Sequence, residues 1–186
     1  MNRRRIHSSA GLIIVQLSLD ILILGCLVEV TRAQAGAEAT YLSAQHRDVV
    51  ERWLARRPDL RLATANDCTN KSGLAAMRKE KGRNYHPYYA VGDFNGDGRE
   101  DFAVALINKK KRRWKFAVAV FNGPVRTGSA PSFLDEQSDL SDGGFSVGSV
   151  GSVGKGKRLI AGTFESDNCV VLQSSRRGYT WKNCLE

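Results

Sequence analysis

One nine-residue stretch of this 186-residue chain carries side chains that could bind a metal ion. It runs from Asp93 to Asp101 and reads DFNGDGRED. Calcium takes six to eight oxygen ligands at about 2.3–2.6 Å, and alternate residues of a tight loop can converge on one point. Oxygen-bearing side chains stand at positions 1, 3, 5 and 9 of the stretch, which are Asp93, Asn95, Asp97 and Asp101. This spacing predicts a calcium site.

Two further positions of the loop suit a bound cation. Gly98 stands at position 6, where the chain must turn sharply and a side chain would obstruct it. Arg99 stands at position 7, which contributes a backbone carbonyl, so its side chain matters little. An EF-hand loop is a competing interpretation, but it needs an acidic ligand at position 12, where this chain has Val104. The other alternative is an Asx-rich turn that binds no ion.

Six β-strands are predicted around the loop and near the end of the chain, because Val, Ala, Ile and aromatic residues cluster there. Between the third and fourth strands, residues 123–156 are rich in Gly and Ser and show no sustained period. Phe133, Leu134, Leu140 and Phe145 nevertheless suggest that part of this insert packs down. The predicted strands are Tyr88–Asp93, Phe102–Asn108, Trp114–Asn122, Arg158–Phe164, Cys169–Gln173 and Tyr179–Cys184.

Two helices are predicted before the strands. Apolar residues recur at helical spacing over Thr40–Arg57, and Pro58 ends the pattern. His46 lies on the apolar face of this helix, so we expect it to be packed rather than catalytic. The second helix is Ser72–Lys81, with its first residue as the N-cap and Gly82 after its end.

The two groups of strands are similar to each other in sequence. Ala90–Asp97, AVGDFNGD, aligns with Ile160–Asp167, IAGTFESD, and two further strands follow each copy. The second copy has Thr163 in place of Asp93 and no equivalent of Asp101, so we expect it to hold no metal. The chain is thus predicted to form two three-stranded meanders separated by the Gly/Ser-rich insert.

The segment Tyr89–Val104, YAVGDFNGDGREDFAV, resembles an FG-GAP or VCBS-type repeat. Those repeats share a Gly-Asp-Phe-Asn-Gly-Asp-Gly core, a closing Asp and flanking strands. The resemblance covers only this segment and implies a calcium loop between neighbouring strands. By position, its Ca²⁺ ligands would be Asp93, Asn95, Asp97, Arg99 through its carbonyl, and Asp101.

Repeats of this type usually come in series and form the blades of β-propellers, which need about four to eight blades. One well-formed copy and one degenerate copy cannot close a propeller. We therefore expect an α+β domain rather than a closed propeller. In it, the N-terminal helix packs on an antiparallel sheet of about six strands built from the two meanders.

Residues 1–35 are predicted to be a signal peptide, and residues 36–186 a single domain. Three arginines precede the mostly apolar stretch Gly11–Val30, and Ala33–Ala35, AQA, is a small-x-small cleavage site. We therefore expect a secreted or periplasmic protein with no transmembrane segment in the mature chain. Two alternatives stay open. One is an uncleaved membrane anchor, which Asp20 disfavours, and the other is lipidation at Cys26.

The chain is basic, with 28 Lys and Arg residues against 19 Asp and Glu residues. Without the four arginines and two acids of residues 1–35, 24 basic and 17 acidic residues remain, a net charge of +7. The run Lys109, Lys110, Lys111, Arg112 and Arg113 predicts a binding surface for an anionic envelope or cell-surface ligand. The alternative is a turn kept soluble by its charges. No nucleic-acid module is recognisable.

The expected meanders also predict where the basic residues lie. In an up-down-up meander, the first and second connections lie at opposite ends. The run Lys109–Arg113, Arg176 and Arg177 should therefore gather at the end of the domain opposite the calcium loop. The same end should hold the basic residues that precede the first strand of each meander, which are Lys81, Arg83, Lys155, Lys157 and Arg158.

Three cysteines remain after the leader, so one disulfide and one free thiol are expected in an exported protein. Cys169 and Cys184 flank a predicted hairpin and fall opposite each other when Ser174 faces Tyr179. Cys68 could instead pair with Cys169. Sequence alone leaves both pairings open.

These features favour an exported, non-enzymatic domain with a structural calcium site that binds an envelope component or a protein partner. The alternative is an extracytoplasmic hydrolase with an unrecognised carboxylate site. The chain contains no His-Glu-x-x-His motif, although Asp and Glu residues are plentiful.

Overall fold

The computed structural model describes residues 40–149 and 157–184 of the chain. The predicted signal peptide and its cleavage site lie outside these residues, as does the end of the Gly/Ser-rich insert. The described residues from Tyr41 onward belong to one compact unit.

Two helices and nine strands make up the described part of the chain. The helices are α1 (Ala44–Leu54) and α2 (Lys71–Lys81), with a short 3₁₀ turn, Ala65–Asp67, between them. This confirms the predicted α+β class, with a helix before antiparallel strands that close no barrel in the described residues. The strands are β1 (Leu60–Leu62), β2 (Tyr89–Gly92), β3 (Asp101–Asn108), β4 (Phe116–Phe121), β5 (Phe133–Ser138), β6 (Gly143–Gly148), β7 (Arg158–Thr163), β8 (Cys169–Ser175) and β9 (Gly178–Asn183).

Helix α1 begins after Ser43, whose hydroxyl accepts a hydrogen bond from the backbone N–H of His46 at 3.2 Å. This N-cap satisfies one of the free N–H groups at the start of the helix. His46 is buried and stacks on Phe102 of β3, with 3.9 Å between the ring centroids. Trp53 meets Phe121 of β4 edge to face. The apolar face of α1 therefore packs on these two strands, as predicted for the first helix.

Helix α2 starts one residue earlier than predicted because Asn70, not Ser72, caps it. The Asn70 side chain accepts a hydrogen bond from the N–H of Gly73 at 2.8 Å. The Ser72 hydroxyl donates to the same Asn70 oxygen instead of capping the helix itself. Gly82 follows the last turn with a φ of +106°, a conformation that L side chains rarely adopt.

The first sheet has five strands, with β3 at its centre. Strands β2 and β1 share one edge of β3. Gly92 lies opposite Asp101 at the start of β3, and Leu60 lies opposite Asn108 at its end. Strands β4 and β5 follow on the other side, and every pairing is antiparallel. The predicted meander of three strands is therefore present as β2, β3 and β4.

The second sheet has four antiparallel strands in the order β6-β7-β8-β9. The predicted register is confirmed, because Ser174 of β8 lies opposite Tyr179 of β9. Cys169 and Cys184 form a disulfide across the base of this hairpin, with 5.6 Å between their Cα atoms. Of the two pairings left open by the sequence, this is the one formed. Cys68 is a free, buried thiol.

Two of the nine strands come from the Gly/Ser-rich insert, where no period was detectable. β5 adds to the first sheet beside β4, and β6 begins the second sheet beside β7. Phe133 packs against the core and Phe145 is almost fully buried within it, so the expectation that part of the insert packs down is confirmed. The sheets are therefore larger than the two meanders alone.

Strand β3 is buried along its whole length because both of its faces are covered. Ala103, Ala105 and Ile107 join a core that also contains Phe145 and Leu172 of the second sheet. Phe102, on the opposite face, packs against α1. The fold is thus a stack of helix, first sheet and second sheet, which explains the continuous apolar run of β3.

The two segments that align in sequence occupy different places in the sheets. Strand β2 lies at an edge of the first sheet, whereas β7 lies between β6 and β8 in the second. Similar sequence therefore does not give the two copies the same surroundings.

Candidate functional site

The candidate calcium loop connects β2 to β3 and is anchored by Phe94, whose side chain is fully buried in the core. Gly96 and Gly98 adopt φ angles of +79° and +83°. Glycine reaches this region at no steric cost, whereas other residues rarely adopt it. The sharp turn that the sequence predicted at Gly98 is therefore present.

The carboxylate of Asp93 accepts three hydrogen bonds from the backbone of its own loop. Its Oδ1 accepts from the N–H groups of Gly96, at 2.7 Å, and Asp97, at 3.1 Å. Its Oδ2 accepts from the N–H of Gly98 at 2.9 Å. Asp93 therefore organises the turn through both of its oxygens.

Asn95 and Asp97 continue the same pattern two residues apart. Asn95 Oδ1 accepts from the N–H of Asp97 at 2.8 Å, and Asp97 Oδ1 accepts from the N–H of Arg99 at 2.9 Å. Asn95 Nδ2 also donates to Asp97 Oδ2 at 3.1 Å. These successive Asx turns fold alternate side chains back onto the loop.

Asp101 is fully buried and closes the loop from the start of β3. Its Oδ2 accepts from the N–H groups of Phe94, at 2.9 Å, and Asn95, at 3.2 Å, while its Oδ1 accepts from the N–H of Gly123 at 2.9 Å. Loss of hydration on burial raises the pKa of Asp101, and these three backbone N–H groups oppose the rise. The negative charge of Asp97 raises this pKa further.

The carboxylates of the loop lack a cationic partner among the described ion pairs, none of which includes Asp93, Asp97 or Asp101. A cation placed among them would offset their mutual repulsion. However, no three His, Cys, Asp or Glu side chains in the described part of the chain are arranged to hold a metal ion. The expected ligand set also includes the Asn95 amide and the Arg99 carbonyl, so calcium binding stays a prediction.

The loop rests on the second sheet, although it belongs to the first. Arg158 Nη1 of β7 donates to the carbonyl of Phe94 at 3.3 Å, and the Ser174 hydroxyl of β8 donates to the carbonyl of Asn95 at 3.3 Å. Burial, followed by the charges of the loop carboxylates, raises the pKa of Tyr179 in β9. The loop therefore joins the two sheets at this end of the domain.

The basic residues do not all lie opposite this loop, so that prediction was wrong in part. Lys109–Arg113 connects β3 to β4 and lies at the far end of β3, about 23 Å away for an eight-residue strand. Arg158 instead contacts the loop, and Arg176 and Arg177 follow Ser174, which also contacts it. The reason is that the second meander runs the opposite way. Strand β3 begins at the loop, whereas β8 ends beside it.

The sequence prediction also missed three residues, which lie either at the loop Asp93–Asp101 or at the basic turn Lys109–Arg113. Gly123 donates to Asp101 from a segment predicted to be irregular, and Ser174 had no distinguishing motif. Trp114 directly follows the five basic residues and is 60% exposed. A tryptophan after a basic run is a visible signal in the sequence, but the sequence pattern places Trp114 in the predicted strand Trp114–Asn122.

A cleft of about 270 Å³ is lined by two carboxylates, Asp135 and Asp139, and by Trp181. Asp135 Oδ2 accepts from the Trp181 indole and from the Ser138 hydroxyl, both at 2.9 Å. Asp139 Oδ1 accepts from the hydroxyl of Ser141 at 2.7 Å. Both carboxylates thus already serve as acceptors within the fold.

A second cleft, of about 360 Å³, is lined largely by aromatic side chains, including Tyr41, Tyr85, His86 and Tyr89. His86 stacks on Tyr41 with 3.5 Å between the ring centroids. Burial and the nearby charge of Arg78 lower the pKa of His86 to about 4, so this ring is neutral at pH 7. The hydroxyl of Tyr89 is bonded to the Nδ1 of His46 at 2.8 Å.

Comparisons with protein-family models, curated proteins and solved structures found no match to this chain. None of the helices in the described residues is long and apolar enough to cross a membrane.

Proposed function

We propose that this chain is an exported, non-enzymatic domain whose loop Asp93–Asp101 binds a structural calcium ion. We further propose that it binds an anionic component of the cell envelope through the basic turn Lys109–Arg113. The observation that carries the calcium proposal is the carboxylate of Asp101. It is fully buried, its pKa is raised, and it lies in a loop with three other carboxylates and no described cationic partner.

A structural role suits the position of the loop better than a catalytic one. Its carbonyls accept hydrogen bonds from Arg158 and Ser174 of the second sheet, and Asp101 begins β3 of the first. An ion held there would strengthen a junction between the two sheets. Binding to the folded state alone would then raise the stability of the whole domain.

The first prediction is that calcium raises the melting temperature of the protein. At a calcium concentration 100 times the Kd, the gain is about 2.7 kcal/mol, or about 5–10 °C for a domain of this size. In Asp97→Asn the rise should be largely lost, because one negative ligand is removed while the shape of the side chain is kept. Differential scanning calorimetry with added calcium or with a chelator measures this shift.

Asp167→Asn is the matched control, because Asp167 aligns with Asp97 in the second copy and is likewise exposed. This variant should keep the full calcium-dependent rise. No rise in the unmodified protein at millimolar calcium would refute the calcium proposal, and loss of the rise in both variants would place the ion elsewhere.

A hydrolase remains the second candidate because two carboxylates, Asp135 and Asp139, line one cleft. Paired carboxylates can divide acid and base roles when their surroundings separate their pKa values. Here both are engaged by neighbouring donors, including the Trp181 indole. Hydrolysis of envelope polymers that is lost in Asp135→Asn and retained in Asp97→Asn would favour this candidate over the first.

A further inference from the structure

The turn between β3 and β4 exposes a large apolar side chain at its tip. Within the described residues, Trp114 is the large hydrophobic residue that stays mostly exposed, at 60%. Its φ is +49°, an uncommon conformation for a bulky residue that is not glycine. The exposed indole and the strained backbone of Trp114 both lower the stability of the fold. A role of this side chain in binding another molecule would explain them.

Positive charge surrounds this indole. Lys109, Lys110, Arg112 and Arg113 are exposed beside it, and no described ion pair includes any of them. Lys111 is half-buried, and its ammonium donates to a backbone carbonyl rather than to a carboxylate. The charges of the turn therefore remain available to an external anion.

The acidic residues nearest to the turn offset only part of its positive charge. Asp59 and Glu136 both pair with the guanidinium of Arg57. Lys111 approaches Glu136 only at its backbone carbonyl, at 2.6 Å. The local balance at this end of the domain is therefore positive, although carboxylates lie close by.

The indole also forms one wall of a groove of about 490 Å³, together with Lys111, Arg113 and Gln137. Two cationic side chains thus lie beside the indole and an amide. A phosphate group could occupy this groove while the indole contacts apolar groups of the same ligand. The headgroup region of an anionic bilayer offers both partners, because its phosphates lie next to the apolar acyl chains.

We propose that the turn formed by residues 109–115 docks the protein on the surface of an anionic lipid bilayer, with the Trp114 indole inserted among the headgroups. The proposal rests on the proposed function, since it assigns the anionic component bound by Lys109–Arg113 to a phospholipid. Lys109, Lys110, Arg112 and Arg113 contact the lipid phosphates. The calcium loop, at the other end of β3, faces away from the bilayer.

A lipid surface accounts for more of the turn than a soluble polyanion does. Charge alone would attract an anionic polymer, and the exposed indole would then have no partner. Tryptophan favours the membrane interface because its ring is apolar and its N–H still reaches water or headgroups. Basic residues beside it add attraction to anionic lipids, each worth about fivefold in affinity.

The test compares the exported protein without residues 1–35, and its variants, on vesicles of phosphatidylcholine, with and without equimolar phosphatidylglycerol. Trp114→Ala removes the indole and keeps the charges. K109Q/K110Q/R112Q/R113Q removes four charges and keeps the indole. R176Q/R177Q is the matched control, because it neutralises an exposed basic turn at the other end of the domain.

The unmodified protein should bind the anionic vesicles, and its tryptophan emission should shift to the blue and be quenched by brominated lipid. Binding should weaken about tenfold or more in Trp114→Ala, since apolar burial is lost. It should weaken several hundredfold in the fourfold Gln variant, at about fivefold per charge. R176Q/R177Q should bind as the unmodified protein does. Melting curves without vesicles should show that each variant is folded.

A soluble polyanion, heparin, separates failure of this proposal from failure of the proposed function. If Trp114→Ala binds the vesicles as tightly as the unmodified protein, or if the emission does not shift, lipid docking is overturned. If heparin binding then still depends on Lys109–Arg113, the broader assignment to an anionic ligand stands. If neither heparin nor anionic vesicles bind, both proposals are refuted.

Discussion

Gly123 shows how closely single residues define the candidate calcium loop. Its N–H donates to Oδ1 of the buried Asp101, and its backbone passes directly over the carbonyl of Glu100. A Cβ atom at this position would stand 2.2 Å from that carbonyl oxygen. The position therefore admits no side chain unless the loop or the segment after β4 moves.

We predict that Gly123→Ala lowers the free energy of unfolding by about 1–3 kcal/mol and weakens calcium binding, because it displaces the groups that hold Asp101. Urea titration measures the first effect, and calcium titration calorimetry measures the second. Gly148→Ala is the control, since a Cβ there would meet only the Ile160 side chain, at 3.4 Å. Equal stability losses in the two variants would contradict this account.

At the scale of elements, the hairpin of β8 and β9 is set by its pairing register. The two strands are joined by a turn of two residues, Arg176 and Arg177, and Ser174 lies opposite Tyr179. This register brings Cys169 beside Cys184, whose N–H donates to the carbonyl of Cys169 at 3.1 Å. The disulfide therefore joins residues that the hairpin already holds together.

Replacing both Cys169 and Cys184 by Ser should lower stability by about 3 kcal/mol, the value expected when a disulfide closes a loop of some 15 residues. The cause is the greater freedom of the unfolded chain. Thermal unfolding of the unmodified protein should show a comparable loss when a reductant is added. The double Ser variant should not respond to the reductant. A reductant effect of equal size in that variant would assign the stabilisation to another cause.

The stability of the whole molecule should depend on pH through a half-buried histidine. His86 lies in the aromatic cleft, where burial and the charge of Arg78 lower its pKa from 6.5 to about 4. In the unfolded chain, His86 therefore becomes protonated below about pH 6.5. In the folded protein it becomes protonated only near pH 4. Stability is therefore fully present above pH 6.5 and is lost as the pH falls toward 4.

Between pH 7 and pH 5 the expected loss from His86 is about 2 kcal/mol. Urea unfolding at these two values measures it, at a pH where most carboxylates stay ionised. His86→Phe keeps an aromatic ring against Tyr41 and should flatten this dependence. The pKa of His46 is also lowered by burial, so a smaller dependence should remain. An unchanged slope in His86→Phe would exclude His86 as the cause.

Much of the architecture followed from local sequence. Strands β2, β3 and β4 were predictable because their apolar runs are bounded by turn-forming residues, and the register of β8 and β9 because their turn is short. The first two strands of each meander and the glycine turns of the loop could be predicted because their conformation depends on residues close by in the sequence. By contrast, β5 and β6 carry Asp, Gly, Ser and Gln residues whose pairing is decided by β4 and β7, which lie elsewhere in the chain.

The sequence by itself determined the class of fold, the order of most elements and the set of candidate calcium ligands, because each depends on residues close together in the chain. Only the tertiary structure decided that the second meander runs opposite to the first, which brings Arg158 and Ser174 to the loop Asp93–Asp101. It also decided the buried state of Asp101, its contact with Gly123, and the isolation of Trp114 at the far end. These depend on how two sheets pack against each other, and that packing depends on contacts between residues distant in the chain.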